Sequence, residues 1–539
     1  MKRRILWLLL ALSLLLCACD AANAGDENTA PPDETTKAKN ETLALPEPGG
    51  EPDTPNSFGL AYVPSYGFNP YSCTCITNRP VLSLVYEGLF VLSGRFEPEP
   101  VLCDSFSVSE DGKHYVFTIC PEAVFSDGSP VTAADAVASL TAARDSDYYG
   151  TRFSRVSSFT AKNEKTLLID LLTPYENLPL LLDVPIVRAD AVGDSRPVGS
   201  GPYVFFGESA LARNRNWWQD RAAPVEYDRI ALTAAKNPTE VRDSFEFGQT
   251  SLVCADLNSP TAVGYRCDFE LWDCPTTTMQ YIGFNCLSGM FVNRDFRAGV
   301  THIIDRSAIT TSVFKGFAKA ACLPCSPESG LYDDALAAAY QYDPAAFAEA
   351  MQHANISPEY VGTLLVCSAD PKRVETAHRI AEMLTDAGAK VEVASVDYDT
   401  YQYRLRAGQF DCFIGETRLS ASFDLSEFFK NYGALNFGGI QSGAMLELCA
   451  AALENSGNCY DLYRNVMEQG YFCPLLFKSY AVMANRGSIR SLQPAVDNVF
   501  HLSGGRTLSD AGASYEALTA EPTEPAETSP DASAGTQAP

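Results

Sequence analysis

The residues best suited to chemistry in this chain are a carboxylate and a guanidinium two positions apart. Glu416 and Arg418 follow the apolar run 410–415, which reads as a buried strand. In open α/β sheets ligands gather at the carboxyl ends of strands. An acid and a guanidinium in the loop after such a strand suit a zwitterion: Glu416 takes an ammonium, and Arg418 takes a carboxylate through its paired N–H donors. Tyr401 and Trp217 are candidates for apolar walls. The plain alternative is a solvated surface pair, which is what most charged loop residues are. Catalysis has no such foothold. No HExxH, Walker loop, GxSxG or GxGxxG occurs. His114, His302, His353, His378 and His501 fall in unrelated segments, which disfavours a metal site, and no cofactor is implied.

The elements around these residues read as α/β. Alternating runs at 105–109 and 114–119 flank Asp111-Gly112, a strong hairpin signal. Ser126-Asp127-Gly128 is a second turn, and Thr132 stands three residues before Asp135, the spacing of a capping box, ahead of a helix expected at 133–143. Residues 58–63 read as a strand and 81–90 as an apolar helix with Gly88 near its end. Trp217 and Trp218 read as one core residue and one surface or cleft residue. Further on, 363–367, 373–387 and 391–396 form a strand, an amphipathic helix ended by Gly388, and a strand. That is a βαβ unit, most simply a parallel pair with a right-handed crossover. Apolar runs at 473–477 and 480–484 read as the last strands, and no internal repeat is visible.

Residues 104–140 resemble the signature of the family 5 extracellular solute-binding proteins, the peptide- and nickel-binding receptors of bacterial ABC importers. That pattern has a tight Asp-Gly hairpin, an aromatic strand, then Phe-Ser-Asp-Gly-x-Pro-Val-Thr-Ala-x-Asp, and 110–117 and 125–135 match it with few departures. The likeness continues in order. Tyr86-Glu87-Gly88-Leu89-Phe90 matches letter for letter, and Val198-Gly199-Ser200-Gly201-Pro202-Tyr203 stands where the family has Val-Gly-Thr-Gly-Pro-Tyr. Residues 214–218 resemble its Arg-Asn-x-x-Tyr-Trp, and 280–285 resemble one of two strands that cross between lobes. The resemblance spans about residues 56–503.

It implies a two-lobed α/β fold of the class II periplasmic-binding-protein type, with an extra small subdomain in the first lobe. The first lobe would comprise 56–90, 195–290 and 478–505, the small subdomain 91–194, and the second lobe 291–477. Function follows the family: a small solute, expected to be a short peptide, is caught in the cleft, a hinge closes, and a membrane permease receives the monomeric receptor's load. Family peptide binders commonly have Gly-Trp here, then an Asp that pairs with the α-ammonium. This chain has Gly415-Glu416, with Leu419 or Ala421 at the Asp position, while Asp424 matches a helix-starting Asp. The departure points away from ordinary oligopeptides and shifts the polar work to Glu416 and Arg418. Receptors for a nickel complex or an oligosaccharide, and a lipid-anchored enzyme or adhesin, are the alternatives.

The ends and the charge agree with an exported protein. Lys2-Arg3-Arg4, an apolar stretch at 5–16 and Leu16-Cys17-Ala18-Cys19 make an export signal resembling a bacterial lipobox, with Cys19 as the lipidated residue at the outer face of the cell membrane or in the periplasm. The twelve mostly apolar residues are too few to span a hydrocarbon core of about 30 Å. Residues 20–54 hold five Pro, nine acids and two Lys, and read as a solvated tether within the segment 19–55. The segment 506–539 reads as a disordered tail. The net charge is −27, or −30 once the three basic residues of the signal are removed, which argues against nucleic acid or an anionic lipid surface. Fifteen of the seventeen cysteines follow the signal, scattered without a zinc spacing, and read mostly as small buried hydrophobes.

Overall fold

The computed structural model describes residues 58–354, 356–501, 507–509 and 515. The export signal, Cys19, the tether and most of the tail lie outside the described residues. Within the tail, the Ser509 N–H donates to the Asp104 carbonyl at 2.9 Å, and the Tyr515 ring stacks on His114 at 4.4 Å. No helix of the described residues is long and apolar enough to cross a membrane.

The first strand, β1 (Phe58–Tyr62), is apolar and almost wholly buried. The helix that follows, α1 (Arg79–Val85), stops earlier than its apolar spacing suggests. Tyr86 is already extended, and β2 (Glu87–Gly88) pairs with Pro185–Ile186. The cause is tertiary: the Glu87 carboxylate is drawn into a buried cluster of donors, which an extra helical turn would swing away.

The small subdomain is a four-stranded antiparallel sheet in the order β3 (Cys103–Val108), β4 (His114–Ile119), then the strand at 166–171, then the strand at 156–161. The expected hairpin forms, with Gly112 at φ +68°. α2 (Ala133–Arg144) begins with the expected capping box, the Asp135 carboxylate accepting the Thr132 N–H at 2.8 Å. The remaining two strands are β5 (Val156–Ala161) and β6 (Thr166–Leu171).

One eleven-stranded sheet carries the rest. In the first lobe β7 (Tyr203–Phe205) and β8 (Ala210–Arg213) lead to β9 (Arg229–Ala234), which runs parallel to β1, and β1 runs parallel to β10 (Leu252–Ala255). β11 (Glu270–Phe284) lies near the centre of this sheet. β12 (Gly362–Cys367), α3 (Pro371–Asp386) and β13 (Val391–Val396) form the expected parallel βαβ unit. α4 (Tyr398–Arg406) leads to β14 (Cys412–Arg418), parallel to β12 and antiparallel to β11. β15 (Phe472–Ala484) returns alongside β11 through both lobes.

Two strand readings change. β14 starts two residues later than its apolar run and extends to Arg418, so Glu416 and Arg418 are strand residues rather than loop residues. The runs at 473–477 and 480–484 are one strand, because the polar Lys478 and Ser479 between them are buried within the sheet instead of ending it. The β11–β15 ladder has an irregularity between Pro275 and Met279, where proline has no N–H to give.

No disulfide joins the fifteen described cysteines, and eleven are buried. Burial pushes thiols such as Cys254 and Cys449 up to about 12, which suits inert packing. Close approach fixes Gly199: a Cβ there would stand 2.3 Å from the Val85 carbonyl and 2.6 Å from the Tyr86 ring. Gly199→Ala is therefore expected to cost about 1–3 kcal/mol of stability, as overpacking does. An unchanged urea midpoint for that variant would show that the end of α1 can yield.

Candidate functional site

The carboxyl end of β14 carries Glu416 to the seam between the lobes. Its neighbour in the sheet is Gln280 on β11, opposite it in register, and Gln280 in turn pairs with Leu476 on β15. Gln280 donates to the Glu416 carboxylate at 3.3 Å. The Lys478 ammonium stands 3.4 Å from Glu416 and 3.8 Å from Asp256, which follows β10 in the first lobe. Arg373, in the first turn of α3, reaches Glu416 at 3.8 Å and donates from Nε to Asp370 at 2.9 Å. Asp370 caps α3 by accepting the Lys372 and Arg373 N–H groups.

These groups line a cavity of about 480 Å³ with Tyr281, Tyr398, Tyr401, Phe413 and Phe437 among its walls. Lys478 is only 9% exposed, so its ammonium has left water. Its two carboxylate partners nevertheless stand farther off than the roughly 2.7–2.9 Å of a charge-assisted hydrogen bond. Burial pushes the Asp256 carboxyl up, and the nearby Lys478 only partly offsets this. Burial works against the Arg373 guanidinium, but Glu416 and Asp370 together hold it above its ordinary value. The cavity thus offers cationic donors and acidic acceptors within one apolar frame, which suits a solute with both charges.

The residues singled out by sequence do not all converge there. Glu416 and Tyr401 do, with the Tyr401 hydroxyl donating to the Ile414 carbonyl at 2.7 Å and fixing that wall. Arg418 is not among the lining residues. Its guanidinium pairs with Asp497 and lies 4.8 Å above the Tyr148 ring, so it ties β14 to the first lobe and the small subdomain. Trp217 is not in the cavity either. Both Trp217 and Trp218 are half-buried, and their indole N–H groups donate to Glu87 at 3.0 and 2.8 Å, with Gln219 and Ser200 completing the set. The expected division into one core and one cleft tryptophan does not occur, because a shared buried carboxylate holds both.

Sequence reasoning missed Lys478, Arg373 and Asp256. Lys478-Ser479 interrupting an otherwise apolar run was the one available signal; Arg373 and Asp256 carried none, since their roles depend on where α3 and β10 end. The segments around Arg155 and Phe96 also meet the segment 423–426. Arg155 stands 3.4 Å from Asp424 and donates to Ser426 at 3.1 Å, and the Phe96 and Phe423 rings meet at 5.3 Å. Asp424, matched in the sequence to a helix start, accepts the Ser426 N–H at 2.9 Å.

Residues 97–437 match the family model described as bacterial extracellular solute-binding proteins, family 5, middle section. The chain belongs to this family. Among curated relatives, a glutathione-binding protein of Salmonella typhimurium is 23% identical over 361 residues, covering 61% of this chain and 67% of its own. The nickel–L-histidine complex of NikZ from Campylobacter jejuni has the same fold, with a TM-score of 0.59 at 17% identity over 82% of this chain and 96% of that one. The murein tripeptide-binding protein MppA in its unliganded open form gives 0.67 at 16% identity, again over 82% and 96%. As a family 5 member the chain is a solute-capturing subunit of an ABC importer.

The Glu87 cluster sets a test of the site's frame. All four partners are donors, so only an acceptor satisfies them, although burial raises the carboxyl above its ordinary value. Glu87→Gln places an amide N–H₂ against those donors and is expected to cost about 1–3 kcal/mol. The tryptophan emission should shift in the same variant. Unaltered emission and thermal midpoint would mean the carboxylate does not organise the two indoles.

Proposed function

We propose that the protein captures a short peptide or a peptide-like zwitterion in the 480 Å³ cavity and passes it unaltered to its permease. One observation carries the reading: a buried ammonium, Lys478, stands on a strand shared by both lobes and faces acids from each of them. A solute carboxylate would be received by Lys478 and Arg373, and its ammonium by Glu416 and Asp256. Tyr401 is the adjacent wall. Arg418, which the sequence alone suggested for the carboxylate, is engaged by Asp497, so its part is to tie β14 to the segment around Asp497 rather than to hold the solute. The glutathione-binding and tripeptide-binding relatives support the peptide class.

Mass spectrometry of small molecules released on denaturation should return an unmodified peptide or a related zwitterion. A charge-assisted contact is worth roughly 1.5–3 kcal/mol, so Lys478→Met should weaken glutathione or tripeptide binding about ten- to a hundredfold by calorimetry. Recovery of a nickel–histidine complex, with no response to peptides, would replace the peptide reading with the nickel one. Recovery of a chemically converted solute would favour an enzyme.

Membrane attachment through Cys19 is part of the same proposal and is supported by the lipobox-like spacing. Two acyl chains hold a protein to a membrane where one does not. Cys19→Ser should therefore shift the protein from the membrane fraction to the soluble one, and undiminished retention would mean another anchor.

A further inference from the structure

A second chamber lies on the first-lobe side, bounded by α1, β2, the segment from Tyr148 to Arg152 and the segment from Val496 to Phe500. Its volume is about 110 Å³, and no residue of the second lobe lines it. An apolar cavity of about 150 Å³ holds benzene, so this chamber has room for a group of roughly six heavy atoms. Its polarity is what sets it apart. Arg79 lines it, its guanidinium 4.3 Å over the Tyr148 ring, with no hydrogen-bond acceptor or acidic partner among the described residues. Three buried oxygens of lining residues likewise lack partners there: Tyr148 Oη, Asp497 Oδ1 and Asn498 Oδ1.

Buried polar atoms without partners are costly and call for an explanation. Here three of them belong to residues that line one chamber, and the unpaired Arg79 guanidinium lines it as well. The other charges are accounted for. Arg152 is paired with Asp183, the second oxygen of Asp497 is held by Arg418, and Glu87 has its four donors. Asp497 is also one of five described non-glycine residues at positive φ, +56°, the kind of backbone strain that collects at functional positions. Its side chain is 9% exposed. The unspent set is one cation and three oxygens, one of which belongs to a carboxylate. The complement is a small carboxylate that carries an ammonium a bond or two away.

We propose that this chamber binds one small α-amino acid, its carboxylate on Arg79 and Tyr148 Oη and its ammonium between Asp497 Oδ1 and Asn498 Oδ1. The site is separate from the cavity around Lys478 and does not rest on the peptide reading of that cavity. The available volume suits glycine or alanine and excludes a long or aromatic side chain. A hydroxy acid fits less well, since a carboxylate oxygen favours an ammonium over a hydroxyl.

L-Alanine titrated into the purified full chain by calorimetry is the test, with propionate and ethylamine as probes that each lack one charge. Alanine should bind saturably at one equivalent, and both single-charge probes at least tenfold more weakly. Arg79→Met should weaken alanine at least tenfold. Tyr148→Phe removes one oxygen without altering the packing and should weaken it several-fold, which keeps the test open if Arg79→Met folds poorly. Lys478→Met should leave alanine binding within twofold. The proposal is overturned if alanine gives no saturable heat, if Tyr148→Phe and Arg79→Met both bind it as the wild type does, or if only Lys478→Met abolishes it. That last result would move the amino acid into the cavity between the lobes and leave the reading of that cavity standing.

Discussion

Everything in this molecule hangs on one antiparallel ladder. β11 and β15 pair from Glu270 opposite Ala484 to Gly283 opposite Phe472, and the strands of both lobes are added outward from that pair. Two strands that belong to two lobes at once impose a constraint. The two sides cannot separate without breaking sheet hydrogen bonds. The register of the ladder shifts between Pro275 and Met279 and again between Gln280 and Tyr281.

The same ladder explains why charge is buried at the seam. A polar residue inside a long buried strand normally pays a desolvation cost that only a partner offsets. Lys478 bears that cost in the middle of β15, with Glu416 and Asp256 on either side at distances longer than an ideal ion pair. Lys478 and Glu416 stand on β15 and β14, and Asp256 directly follows β10. The Arg418–Asp497 pair and the Arg155–Asp424 pair add further ties between the second lobe and the first-lobe side. Both are formed with the cleft in its present position.

The tryptophans show how a local reading can miss a collective cause. Trp217 and Trp218 were separable by periodicity alone into inside and outside. Glu87, more than a hundred residues away in sequence, binds both indoles. It also explains why α1 ends at Val85 instead of continuing through the apolar letters that follow. The motif Tyr86-Glu87-Gly88-Leu89-Phe90 is thus less a helix end than the footing of a buried carboxylate, closed over by the tight approach of Gly199.

Much was legible in the sequence, because its causes are local. The hairpin around Asp111-Gly112, the capping box of Thr132 and Asp135 and the parallel unit of β12, α3 and β13 each follow from residues within a few positions of one another. The ordered motifs were enough to identify the family. Glu416, singled out at the end of an apolar strand, and Tyr401, singled out as an apolar wall, both line the cavity. Tertiary structure alone decided the rest. Whether Arg418 faces a solute or Asp497, whether Lys478 ends a strand or sits buried inside one, and which distant acids meet it depend on register and on how two lobes face each other. Those are long-range properties: hydrogen bonds between strands hundreds of residues apart fix them, and no spacing along the chain encodes the partner of a charge.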